Sequence, residues 1–335
     1  MASPHTDTPR DPREIGSGRR IDLHHHVVLP EYESALARSG AADPSRPLRK
    51  NSDPLRECET IAALGTAGAI VNPLSVAGVH HGDDANARYL TESVNEALAR
   101  FVSPVPRQLG FFATLPVPDV DGALTQMEHA LDQLGADGVV FLSNQNGVYL
   151  GDPILEPLYA EMDRRGVVAF VHPASPAYVP TLKLKLWAAY VEYPFETTRV
   201  AANLIYNGVM QRYPNIRWVL AHAGGALPYL TTRLKLMEES DKNRPPFIDR
   251  VPEGVTPYLN RFHFDTALSG GAAPMAALMA MADPSRVFYG SDWPYVDRHF
   301  IGEQLATLER HPGFADGRLA AMEHDNAERL FPRFR

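Results

Sequence analysis

The sequence predicts an α/β chain folded as a (β/α)8 TIM barrel with extended loops after its first and fifth strands. Three observations predict it. Eight short apolar runs are spaced along the chain, amphipathic segments of helical length separate them, and the first run ends in histidines. An open, doubly wound sheet usually carries a glycine-rich nucleotide loop at that last place. Repeated strand–helix alternation without such a loop fits a closed ring of parallel strands.

The runs cover residues 21–28, 69–71, 109–114, 138–142, 167–171, 216–221, 262–265 and 287–289. Several are nearly unbroken in Val, Ile, Leu or Phe, the pattern of parallel strands covered on both faces. Helical periodicity fills 86–101, 120–134, 154–164, 195–213, 227–239, 273–281, 300–309 and 318–330. Two longer excursions, residues 30–54 and 173–194, follow the first and fifth strands. Barrels hold their sites at that end, so both are expected to form parts of a substrate lid. Residues 1–19 are polar and rich in Pro, Asp and Arg, and are expected to be a disordered tail. Residues 20–335 are expected to form one barrel domain.

Composition narrows the function. A formal charge of −8 with no Lys/Arg-rich block argues against a nucleic-acid partner. No apolar stretch approaches the roughly 20 residues of a membrane span, and the N-terminal segment lacks a signal-peptide core. A cytoplasmic protein without a membrane partner is expected. Cys58 is the only cysteine, which excludes intrachain disulfides and cysteine-based zinc sites. No GxGxxG or Walker pattern occurs, so no nucleotide or organic cofactor is expected.

Four of the expected strands end in a group that can bind metal or move a proton. The first ends in His24-x-His26, the fifth in His172, the sixth in His222, and the eighth in Gly290-Ser291-Asp292. Along a strand, alternation puts His24 and His26 on one face, about 7 Å apart, and His25 on the other. Taken singly, each motif has a plainer reading. A histidine before proline is usually a loop residue, and Gly-Ser-Asp is usually a turn or helix cap. Together at strand ends that a barrel gathers into one mouth, they form a mixed N/O donor set suited to Zn²⁺, with Mn²⁺ or Fe²⁺ as alternatives.

With those residues in view, the chain resembles the amidohydrolase superfamily, in its branch of metal-dependent nonoxidative decarboxylases. The resemblance rests on residues 20–26, 170–173, 220–229 and 289–294, and 20–32 with 221–225 look most like the 6-methylsalicylate decarboxylase group. It implies His24, His26, His172 and Asp292 as metal ligands, with His222 beside the metal as acid/base and Asp292 also catalytic. Residues 138–144 offer no lysine to bridge a second ion, so one divalent metal is expected. The implied reaction removes CO₂ from a small hydroxylated aromatic acid by protonating the ring carbon that bears the carboxylate. A homodimer is implied by the resemblance alone.

Substrate contacts are expected from Trp187 and Tyr178 in the second excursion and from Trp293 beside Asp292. Arg46, Arg49 and Lys50 are candidates for pairing with a substrate carboxylate. Asp265 is expected to orient a catalytic histidine, and His263 to be a core residue. Two alternatives stay open. One is a hydrolase of a C–C, lactone or amide bond using metal-activated water. The other is a barrel that keeps its metal for structure or serves as a binding scaffold.

Overall fold

The computed structural model describes residues 11–39, 51–73, 78–239 and 248–335. Eight strands form its main sheet: β1 Arg20–Val27, β2 Thr66–Pro73, β3 Leu109–Thr114, β4 Gly138–Leu142, β5 Val168–His172, β6 Arg217–Leu220, β7 His263–Asp265 and β8 Val287–Phe288. They lie in chain order and every neighbouring pair is parallel. The ring nearly closes through the segment after β8. Leu23 N donates to Tyr289 O at 3.0 Å, Asp292 N to His24 O at 2.9 Å, and His26 N to Trp293 O at 2.7 Å. The expected (β/α)8 barrel is the observed fold.

Alternation along the strands sorts side chains between two environments. On β2 and β3, Ala69, Val71, Leu109, Phe111 and Ala113 pack outward with helix Asp84–Val102. Ile70 and Phe112 project inward with Phe170, Val219 and Phe288. Phe112 stacks on Phe170 with ring centroids 5.4 Å apart, filling the barrel as a packed core rather than a channel. Phe170 in turn meets the His24 ring at 5.1 Å, so the hydrocarbon core is the floor of the histidine cluster.

Aspartates start several of the outer helices. Asp53, Asp83, Asp119 and Asp297 each accept hydrogen bonds from backbone N–H groups in the first turn that follows. A carboxylate there satisfies otherwise unpaired donors and complements the positive end of the helix dipole.

Three expectations change. Residues 11–19 are not a loose tail: Pro12–Glu14 forms a 3-10 turn and Ile15 is buried. The buried Arg20 guanidinium needs acceptors, and it takes the carbonyls of Pro12, Ile15 and Gly65 beside the Glu323 carboxylate. The excursion after β1 begins as helix Pro30–Ser39, and the one after β5 contains a turn at Val179–Thr181 before helix Ala188–Tyr206 begins. Periodicity across 195–213 is split, because Gly208 at φ 72° separates that helix from Val209–Arg212. Among the described residues no helix is long and apolar enough to cross a membrane.

Candidate active site

The barrel brings five titratable side chains to one end of its strands. His24 and His26 come from β1, His172 from the end of β5, His222 from the turn after β6, and Asp292 from the segment after β8. All five are buried. His24 Nε2 lies 3.2 Å from His26 Nε2, and Asp292 Oδ1 lies 3.3 Å and 3.2 Å from those two atoms. His24, His172, His222 and Asp292 each offer a ligand atom within 4.8 Å of the other three. The His172 ring sits 5.1 Å from both His24 and His26.

The donor set fits a divalent cation. Ligand atoms at the roughly 2.0–2.1 Å of Zn–N and Zn–O bonds, arranged tetrahedrally, sit about 3.3 Å from one another. That spacing is observed among His24, His26 and Asp292. Asp292 Oδ1 is also buried without a hydrogen-bond partner among the described residues, as are His26 Nδ1 and His222 Nδ1. A buried carboxylate oxygen is not left bare without cause.

Surrounding groups turn the imidazoles toward the centre. His24 Nδ1 is 2.8 Å from Asp265 Oδ2, and His172 Nδ1 donates to Pro173 O at 2.8 Å. A proton held on Nδ1 leaves the Nε2 lone pair facing the cluster. Asp265 is itself anchored, because Oδ1 accepts from His222 N at 2.9 Å and Ala267 N at 3.0 Å. One carboxylate thus ties β7 to both the first and the sixth strand ends.

Electrostatics within the cluster pull in opposite directions. Burial works against the charged form of His24, but the Asp265 and Asp292 carboxylates overcome it and push that imidazole up to about 10. Burial lowers His26, with the neighbouring His24 charge adding to it. His172 is held well below the ordinary histidine value by burial and by His24, His26 and His222. Asp292 resists burial and stays well below the usual carboxylate range, because His24, His222 and His26 face it. An ionised Asp292 beside uncharged His26 and His172 offers donors to a cation, and a cation bound there displaces the proton that the two carboxylates hold on His24.

Two turns are strained to present these groups. Asp292 adopts φ 57°, and His222 and Ala223 both adopt φ 56°, the left-handed region that non-glycine residues avoid. The Asp292 turn is pinned by Asp22, whose Oδ1 accepts from both Ser291 N and His24 N at 3.0 Å. The His222 turn closes at Gly225, where a Cβ would meet the Pro194 carbonyl oxygen at 2.0 Å. His25, on the opposite face of β1, pairs with Asp22 at 3.1 Å and Glu57 at 3.0 Å. With burial opposing them, those carboxylates push it up to about 9.

Beside the cluster, a cavity bounded by His26 and His172 is lined mainly by apolar side chains, with Tyr32 and Asn72 among them. The expected aromatic contacts are not on its wall. Trp187 is 75% exposed and stacks on Tyr190 at 5.9 Å. Tyr178 donates its hydroxyl proton to Glu192 at 2.8 Å and accepts from Arg199 at 3.2 Å, on the surface. Trp293 packs partly buried against the main core, and its backbone carbonyl serves β1.

Sequence reasoning missed Tyr295, whose ring is 5.3 Å from His26, and Tyr193, 6.3 Å from His172. The only signal available was their closeness in sequence to Asp292 and Pro194. Arg46, Arg49 and Lys50 lie outside the described residues. His263 is a core residue: burial and Arg286 push it down to about 3.

Comparison with known proteins follows the same lines. Residues 21–333 match the amidohydrolase family. The chain is 32% identical over 332 residues to a 6-methylsalicylic acid decarboxylase of Penicillium expansum, covering 94% of this chain and 97% of that protein. The crystal structure of an amidohydrolase II superposes with a TM-score of 0.83 at 28% identity, over 93% of this chain and 99% of the other. A dihydroxybenzoic acid decarboxylase from Polaromonas sp., solved with manganese and 2-nitroresorcinol, shares the fold with a TM-score of 0.80 at 20% identity, over 95% and 98% of the two chains. The chain belongs to the amidohydrolase family, on the branch that carries the 6-methylsalicylic acid decarboxylases.

Proposed function

We propose that this protein is a metal-dependent nonoxidative decarboxylase of a small hydroxylated aromatic acid of the 6-methylsalicylate type. The observation that carries the reading is the triangle of His24, His26 and Asp292 donor atoms 3.2–3.3 Å apart, with His172 and His222 beside it. The relative at 32% identity supplies the substrate class. In this reading His24, His26, His172 and Asp292 hold one divalent cation, Zn²⁺ first and Mn²⁺ or Fe²⁺ as alternatives. The cation, when bound, draws charge from substrate oxygens and screens the carboxylate.

The chain's own groups then manage the proton. A C–C bond to an aromatic ring breaks only if its electron pair has somewhere to go. Proton delivery from His222 or Asp292 to the carboxylated ring carbon interrupts aromaticity, and the C–C electron pair restores it as CO₂ departs. The carboxylate and one proton become the decarboxylated arene and CO₂, so no electrons are exchanged with a cofactor. His222 Nε2 lies 3.4 Å from Asp292 Oδ2, so a proton has a short path between the two. General acid assistance of this kind is worth about 10²–10⁴ in rate. Asp265 orients His24, and a cytoplasmic homodimer belongs to the same reading through the likeness to the decarboxylases.

The test is metal analysis followed by a hydroxybenzoate screen in D₂O. CO₂ should appear with one deuterium on the carbon that lost it. His222→Asn should keep its metal and lose nearly all turnover. Hydrolysed product without CO₂ would point to water activation on the same centre and sink the decarboxylase reading.

A further inference from the structure

The cavity beside the cluster opens across the first five strands, and His26, Asn72, Thr114, Leu142 and His172 each contribute from a different one. The polar side chains on this wall are nearly all committed. Tyr32 donates its hydroxyl to Gly78 O at 2.6 Å. Thr114 Oγ1 donates to Asn95 Oδ1 at 3.1 Å, and Gln145 Nε2 donates to His80 O at 2.7 Å. Asn72 differs. It is 2% exposed, and its Nδ2 has no hydrogen-bond partner among the described residues. Its Cα pairs with that of His26 in the β1–β2 register, so the two side chains stand side by side on one face of the sheet.

A buried amide donor with nothing to bond destabilises the fold, and native proteins rarely tolerate one without a use. Asn72 lines this cavity together with Val79, Leu115 and Val117, which offer no side-chain acceptor.

We propose that Asn72 reads the substrate's ring hydroxyl: its Nδ2–H donates to the hydroxyl oxygen ortho to the carboxylate, while the hydrocarbon wall holds the ring. The inference rests on the decarboxylase reading above. The carboxylate belongs at the cation, because an uncharged amide is a poor partner for a buried anion. The Asn72 amide nitrogen carries two unpaired N–H protons on a wall that also holds Val79, Leu115 and Val117, so an aromatic acid with a hydroxyl on the Asn72 side and apolar substituents elsewhere fits. A site built to bond a hydroxyl discriminates strongly against the analogue that lacks it.

The test compares wild type with Asn72→Leu, similar in volume but without the donor, as metal-loaded enzymes. Titration calorimetry measures 2-hydroxy-6-methylbenzoate and 2-methylbenzoate, which lacks the hydroxyl, and kinetics follow CO₂ release from the first. We expect Asn72→Leu to weaken the hydroxylated acid by about tenfold to a hundredfold and to raise KM accordingly. Binding of 2-methylbenzoate should stay within about twofold, and the melting temperature should not fall, since an unpaired donor has been removed. Unchanged affinity, equal losses for both acids, or a clear drop in melting temperature would each overturn the proposal. Wild-type protein that prefers the hydroxylated acid yet releases no CO₂ overturns the decarboxylase reading and leaves the Asn72 contact standing.

Discussion

Asp265 illustrates how much one side chain can hold. It faces His24 Nδ1 with one oxygen and takes two backbone N–H groups, from His222 and Ala267, with the other. Asp265→Asn keeps the shape but points a donor at one of those donors. We expect metal affinity to fall about 10–100-fold, as for other supporting carboxylates of metal-binding histidines, measurable by competition with a chelating dye. His263 gives the pH prediction. Its folded value of about 3 lies below the ordinary 6.5, through burial and Arg286. Between those values the unfolded chain binds a proton that the folded protein refuses. Stability is therefore intact above about pH 6.5 and is lost as the solution is acidified below it, by up to about 1.4 kcal/mol per pH unit. His263→Gln retains an acceptor for Arg286 Nη1, 3.4 Å away, and should flatten that acid limb in urea titrations.

At the scale of elements, the turns after β6 and β8 decide the geometry. Gly225 sits at φ 65°, with its N–H donating to His222 O at 2.9 Å and the Pro194 carbonyl filling the space a Cβ needs. Gly225→Ala must push helix Ala188–Tyr206 away or unwind the turn. We expect a loss of about 2–4 kcal/mol in unfolding free energy together with lower turnover, because the same shift moves His222. Unchanged stability would mean that the turn and helix yield more easily than their packing indicates. Elements were unevenly readable from sequence. Strands with continuous apolar runs, such as β3, β4 and β5, are explicit because burial on both faces leaves no alternative composition. The helix over 195–213 was misjudged, since periodicity is blind to the backbone reversal at Gly208 and to the earlier start at Ala188.

For the whole molecule, a ring nearly closed between β1 and the segment after β8 would make a cation held by the cluster a clamp between distant parts of the chain. A ligand that binds only the folded state stabilises it, by about 4 kcal/mol at a thousandfold excess over Kd. Stripping the ion should leave folded protein whose melting temperature is lower by roughly 5 °C and recovers on adding Zn²⁺ or Mn²⁺. No shift under either ion would argue that the cluster does not bind them.

By itself the sequence determined the barrel and the strand ends that carry His24, His26, His172, His222 and Asp292. Apolar runs and the polar residues that terminate them are local, and a run of four to eight residues announces its own environment. Tertiary structure alone decided which atoms converge, which turns are strained, and that Asn72 rather than Trp187 or Tyr178 faces the cavity. It also decided that residues 11–19 pack, because Arg20 needs their carbonyls. These are contacts between residues tens to hundreds of positions apart, set by how the ring closes, and no local pattern encodes the distance between two strand ends before the barrel has brought them together.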